Sequence, residues 1–143
     1  MNCTFCKILN QELPASRIIE DKHNLAFLDI HPVSSGHTLI IPRRHVESFT
    51  DLTKEEVTQL FEMGKVVASH LKNVVEDCGG VNLSLADGAV AGQEVPHAHL
   101  HVIPRKEGDG FGWKFPPGYS EKAAPREDLE RIAALLKNSI ERL

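Results

Sequence analysis

Pro96-His97-Ala98-His99-Leu100-His101-Val102-Ile103, closed by Pro104, alternates imidazole with an apolar side chain at every step. Period-two alternation marks a strand with one buried face. Ala98, Leu100 and Val102 are therefore expected in a core, with His97, His99 and His101 together on the opposite face. At about 3.3 Å per residue the outer imidazoles of such a strand lie roughly 13 Å apart, whereas zinc holds each nitrogen at about 2.0–2.1 Å. One ion does not comfortably take all three, so the row reads as imidazoles with separate tasks. Imidazole changes charge near neutral pH, which suits it to proton transfer and nucleophilic attack. The plain alternatives are a solvated polar strand face and an adventitious metal site.

Working outward, Asp87-Gly88-Ala89-Val90-Ala91-Gly92-Gln93-Glu94-Val95 is a turn-rich loop feeding the row. Successive backbone N–H groups in such a turn can cradle an anion. Val81 to Leu85 alternates as a strand and is expected to pair with His97 to Ile103. Further upstream, Arg17 to Glu20 and Leu25 to Leu28 read as a hairpin, and His37 to Ile41, stopped by Pro42, as a third strand. Between these strands lies a long helix. Thr53 and Glu56 form a capping box, and Val57, Leu60, Phe61, Gly64, Val67, Ala68, Leu71, Val74 and Val75 trace one stripe up to Gly79-Gly80. A second helix is expected from Pro125 as its first residue, with Leu129, Ile132, Ala133, Leu136, Ile140 and Leu143 as its stripe. Lys106 to Ser120 is glycine- and proline-rich, carries Trp113 and Tyr119, and reads as a long irregular loop. Strands joined by short turns with segregated helices imply an α+β fold on an antiparallel sheet.

The 143 residues, 41% hydrophobic and 25% charged, suit one globular domain, 1–143, and not a disordered chain. A net charge of −4 offers no basic excess for a nucleic-acid backbone or an anionic membrane, so any anion must be held by a local site. No apolar run is long enough to span a bilayer and no signal-peptide pattern opens the sequence. Cys3, Cys6 and Cys78 are too few and too oddly counted for a disulfide framework, which favours a reducing compartment and a cytoplasmic location. Cys78, alone near the end of the long helix, reads as structural.

Gly92-Gln93-Glu94-Val95-Pro96-His97-Ala98-His99-Leu100-His101-Val102-Ile103 resembles the signature of the histidine triad (HIT) family. The likeness extends through Cys6-Lys7-Ile8, Leu25 to Ile30 and Gly36 to His45. It implies a HIT-like fold with a five-stranded antiparallel sheet, a homodimer, and a nucleotide hydrolase or transferase acting at the α-phosphate. By that resemblance His99 is the nucleophile, His101 binds phosphoryl oxygens, and His37 stands near the phosphate and leaving group. A neutral imidazole can attack phosphorus and give a phosphoramidate that water later cleaves. Asp29 is expected on the ribose hydroxyls, Phe5, Ile8, Phe27 and Ile30 around the base, and Gln93, Glu94 and Val95 at the phosphate loop.

Cys3-Thr4-Phe5-Cys6 lacks the preceding strand of a thioredoxin-like redox pair. Zinc needs two further ligands, and His45 and His97 complete a Cys₂His₂ set. Relatives that carry this cysteine pair imply a structural zinc on Cys3, Cys6, His45 and His97. Glu94 stands where many members have a hydroxyl residue, and Ala86 where relatives often place Asn or Gln. The competing function is a nucleotide-binding or scaffold protein with vestigial hydrolysis. The aromatic loop from Gly108 to Tyr119 reads either as a lid over its own or a partner's nucleotide or as a surface loop whose aromatics cover the core.

Overall fold

The sheet is antiparallel throughout, in the order β1-β2-β3-β5-β4: β1 is Arg17–Glu20, β2 Asn24–Leu28, β3 Thr38–Pro42, β4 Gly80–Ser84 and β5 Leu100–Arg105. Among the described residues three α-helices accompany it: α1 (Thr4–Leu9), α2 (Lys54–Val74) and α3 (Arg126–Glu141). This computed structural model describes residues 2–142, which divide into two compact units, one up to Gly110 and one from Phe111. The α+β class and the five-stranded sheet expected from the sequence are both present.

In the first unit the two faces of the sheet are covered by different helices. Helix α2 begins with the expected capping box, Thr53 accepting from the Glu56 amide and Glu56 accepting from the Thr53 amide. Its stripe of Leu60, Met63, Val67 and Leu71 packs on Ala26, Ile40, Leu100 and Val102. Gly64 lets the helix come close: a Cβ there would stand 2.8 Å from Leu100 Cδ2. The helix stops at Val74 and not at Gly79-Gly80: Val75 is already extended (φ −86°, ψ 121°), Asp77 then turns through the left-handed region (φ 58°), and Gly80 is paired with Arg105 in the sheet. Glycine thus serves the start of β4 and not the helix end.

Helix α1 lies on the opposite face, where Phe5 and Ile8 pack with Cys3, Leu25, Phe27, Leu39 and Ile41. Cys3 is its N-cap, the thiol accepting from the Cys6 amide, and the Arg17 guanidinium donates to the Ile8 carbonyl at 2.6 Å.

Strand β5 is shifted from its expected bounds. His97, Ala98 and His99 precede the strand, because the His97 amide donates to Val95 O and the Ala98 amide to Val46 O, outside the β3 ladder that spans Leu100 to Val102. The strand then runs through Pro104. The Pro104 carbonyl accepts from Ser34 Oγ on the side where the β3 ladder has ended, so its missing N–H leaves no strand unpaired. Ala98, Leu100 and Val102 are buried as expected.

In the second unit Pro125 is the N-cap of α3 and not its first residue, with Glu127 and Asp128 in the first turn at the positive end of the dipole. Leu129, Ile132, Leu136 and Ile140 of its stripe are exposed; Leu143 lies outside the described residues. The rings of Phe115 and Tyr119 stack at 4.0 Å. Phe111, Trp113, Phe115 and Tyr119 are all exposed.

Candidate active site

The bend before β5 turns His99 over so that its own chain fixes the ring. His99 Nδ1 lies 2.7 Å from the His97 carbonyl. A carbonyl only accepts, so Nδ1 carries the proton and Nε2 keeps its lone pair. The ring is 5% exposed, and the edge of Phe5 packs on it with centroids 5.1 Å apart. Burial depresses its pKa against the opposing pull of the His97 carbonyl, Asp29 and Glu94. The chain therefore presents a neutral imidazole with one unprotonated nitrogen.

His101 follows on β5, its ring centroid 5.0 Å from that of His99. Opposite it His37, immediately before β3, brings Nε2 to 2.9 Å from His101 Nδ1. The Val33 amide donates to His37 Nδ1 at 3.0 Å. The Asp29 amide donates to the His37 carbonyl, which sets Asp29 Oδ2 3.6 Å from His37 Nε2. Burial pushes His37 below its ordinary value, and burial followed by the neighbouring His99 and His37 rings pushes His101 down to about 4.

At the N-terminal side a second cluster forms. Cys3 Sγ is 3.5 Å and Cys6 Sγ 3.7 Å from His97 Nδ1, and Cys6 Sγ is 3.3 Å from His45 Nδ1. In a zinc tetrahedron with sulfur at about 2.3 Å and nitrogen at about 2.0–2.1 Å, sulfur and nitrogen ligands stand about 3.6 Å apart. The four donors match that spacing, and all lie within 4.8 Å of one another. His97 Nε2 donates to the Pro42 carbonyl at 2.8 Å, so its lone pair is on Nδ1, facing both sulfurs. Burial, then Cys3, raises the Cys6 thiol, so the pair gains from a cation that takes it as thiolate.

The remaining expected residues divide. Phe5, Ile8 and Phe27 are buried in one cluster under the histidines, whereas Ile30 is 82% exposed and belongs to no cluster. Glu94 is exposed and Val95 half-buried. Gln93 proves to be a clasp: its carbonyl oxygen accepts from the Gly88 amide, and its amide nitrogen donates to Glu47 O and Val95 O. Asp87 ties the same loop to the Ser48 hydroxyl and the Phe49 amide. The Val33 amide and the Asp87 tether were not read from the sequence. An Asp before a glycine turn signals only a turn, and a backbone donor has no signature at all.

The HIT domain model matches residues 10–108, over two-thirds of the chain. The chain belongs to the HIT family. A HIT protein structure from Bacillus subtilis superposes with a TM-score of 0.86 at 38% identity, covering 96% of each chain. A zinc-bound histidine triad protein from Mycobacterium smegmatis gives a TM-score of 0.75 at 36% identity, covering 99% of this chain and 98% of that one. Among curated HIT relatives, an adenosine 5′-monophosphoramidase of Saccharomyces cerevisiae is 34% identical over 144 residues, 99% of this chain and 82% of its own length.

Proposed function

We propose that this HIT protein hydrolyses a purine nucleotide at its α-phosphate, a phosphoramidate or a dinucleoside polyphosphate, through a nucleotidyl-His99 intermediate. The observation that carries the reading is the His99 ring, held neutral by burial and with its proton tied to the His97 carbonyl. Nε2 supplies its lone pair to phosphorus, the bond from phosphorus to the leaving group breaks, and the leaving group departs with the bonding pair. Water then attacks the phosphoramidate and frees His99. Over both steps one water is consumed, its oxygen going to phosphorus and one proton ending on the leaving group.

His101 donates to the phosphoryl oxygens, and His37 supports it. Asp29 accepts from the ribose hydroxyls, Phe5, Ile8, Phe27 and Ile30 wall the base, and Gln93 holds the loop that offers the Glu94 and Val95 amides to the phosphate. The activity named for the yeast relative supports a phosphoramidate as the first substrate to test.

Cys3, Cys6, His45 and His97 hold a structural zinc, a reading supported by the donor spacing and by the zinc-bound mycobacterial neighbour. When bound, the ion supplies a rigid crosslink between the start of α1 and the segment carrying His99. Three free cysteines fit a reducing, cytoplasmic setting, and among the described residues no helix is long and apolar enough to cross a membrane. The working unit is a homodimer.

The test is single-turnover mixing with radiolabelled adenosine phosphoramidate and acid quenching. A labelled, acid-labile phosphoramidate on the protein that is missing in His99→Ala supports the route. Normal turnover in His99→Ala defeats it.

A further inference from the structure

We propose that the backbone amide of Val33 is a positioning group for the reaction: it fixes the proton of His37 on Nε2 and, through His37, the proton of His101 on the nitrogen that faces the phosphate. The consequence for turnover rests on the reading of His99 and His101 given above, while the protonation pattern itself does not.

The argument begins with polarity. A backbone amide has a proton and no lone pair to offer, so at 3.0 Å from His37 Nδ1 it can only donate. His37 Nδ1 is then an acceptor, and a neutral imidazole with an acceptor at Nδ1 carries its one proton on Nε2. Burial, at 3% exposure, keeps the ring neutral at pH 7. Nε2–H points at His101 Nδ1 across 2.9 Å, a distance that admits one proton between the two nitrogens. His101 Nδ1 accepts it, and the neutral His101 ring bears its own proton on Nε2. Two rings from distant parts of the chain are thus set by one peptide group.

The loop that carries Val33 is built to aim that amide. The Asp29 amide donates to His37 O, the His37 amide donates to Ser34 O, and Asp29 Oδ1 accepts from the His31 amide. These bonds close 29–37 on itself across Pro32 and leave the Val33 N–H directed at the ring. Asp29 Oδ2, 3.6 Å from His37 Nε2, lies beyond a good hydrogen bond and does not compete with His101.

The alternative arrangement shows what the amide prevents. With its proton on Nδ1, His37 would face Val33 proton to proton and turn a lone pair toward His101. His101 would then place its proton between the rings and a lone pair toward the phosphoryl oxygens, repelling the group it is meant to hold. The same proton bears on metal binding. Asp29, His37 and His101 gather three donor atoms within 4.8 Å, the outline of a two-histidine, one-carboxylate site. With Nε2 of His37 protonated, that trio lacks one of its lone pairs.

Nitrogen-15 NMR of histidine-labelled protein at pH 7.5, with the rings assigned from single variants, tests the pattern directly. His37 and His101 are both expected as the Nε2–H tautomer; His37 in the Nδ1–H form, or averaging between forms, overturns the proposal. Replacing Val33 by its α-hydroxy acid turns the amide into an ester and removes one proton with little change of shape. His37 is then expected to mix tautomers, with kcat on adenosine phosphoramidate falling about three- to tenfold and KM staying within about twofold, the scale of one hydrogen bond. An unchanged tautomer and kcat overturns it. His37→Gln keeps a nitrogen donor near the Nε2 position, while His37→Asn reaches only as far as Nδ1; folded by melting, the Gln variant should retain at least about tenfold more activity. Equal activities overturn the proposal. Protein with the expected tautomers but no turnover on any nucleotide counts against nucleotidyl transfer alone, and the protonation pattern stands.

Discussion

His97 and His99 are separated by one alanine, and both are buried against the ring of Phe5. Yet they present opposite nitrogens. His97 gives its Nε2 proton to the Pro42 carbonyl and turns the Nδ1 lone pair to two thiols. His99 gives its Nδ1 proton to the His97 carbonyl and keeps the Nε2 lone pair free for the nucleophilic role proposed above. Composition and burial are nearly the same in the two regions. The carbonyl that takes each ring's proton decides which nitrogen keeps its lone pair, and so sets the candidate metal cluster apart from the proposed phosphate site.

If that separation holds, the two sites fail independently. His99→Ala should lower turnover by about 10⁴-fold or more, beyond the roughly 10²–10⁴ of a general acid or base, while metal analysis still finds one zinc per chain. Loss of zinc from this variant would merge the two regions. In the reverse direction, Cys6→Ser or chelation should remove the zinc and lower the melting temperature by roughly 10 °C, the scale of a few kcal/mol in a domain of this size. Zinc unchanged in Cys6→Ser would break the comparison from the other end.

Acid sharpens it further. His101 is pushed from 6.5 down to about 4, so between those values the unfolded chain binds more protons than the folded one. The associated stability is complete above pH 6.5 and is lost as pH falls toward 4. His101→Gln should therefore flatten the dependence of melting temperature on pH in that window. Glu56 works at lower pH. Its bond to Arg44 and its capping role hold its carboxyl at about 2 against 4.5, so its contribution is present above pH 4.5 and lost as pH falls toward 2. Glu56→Gln should give a smaller effect, confined to that window, with the zinc and the His101 limb unaltered.

Much of the frame can be read in the residues. The capping box of Thr53 and Glu56, and the Leu60-Val67-Leu71 stripe, announce α2, because its length lets a 3.6-residue period repeat. Alternating burial announces β5 for a similar reason. Helix α1 escapes because six residues hold too few turns to show a period, and because its N-cap is a cysteine, a residue that points first to metal. The true start of β5 escapes because Ala98 is drawn away by the Val46 carbonyl, a partner more than fifty positions upstream. Within the site, the histidines, cysteines and Asp29 are legible by type. The carbonyls of His97 and Pro42 and the amide of Val33 are not, since every residue carries such groups and only folding selects which ones point at a ring.

The two borders of the sheet also differ. The register of β1 shifts between Arg17 and Ile19, and Arg17 and Arg43 both pair with Glu20 there. An irregular, charged border of this kind discourages another strand from zipping onto it. Strand β4 keeps an even register with β5 from Gly80 to Ser84, and Leu83 is exposed. Growth of the sheet by strand addition is therefore open on one side only. Two copies joined through β4 would cap one another and leave only guarded borders, so such an assembly ends at two chains and does not propagate into a fibre.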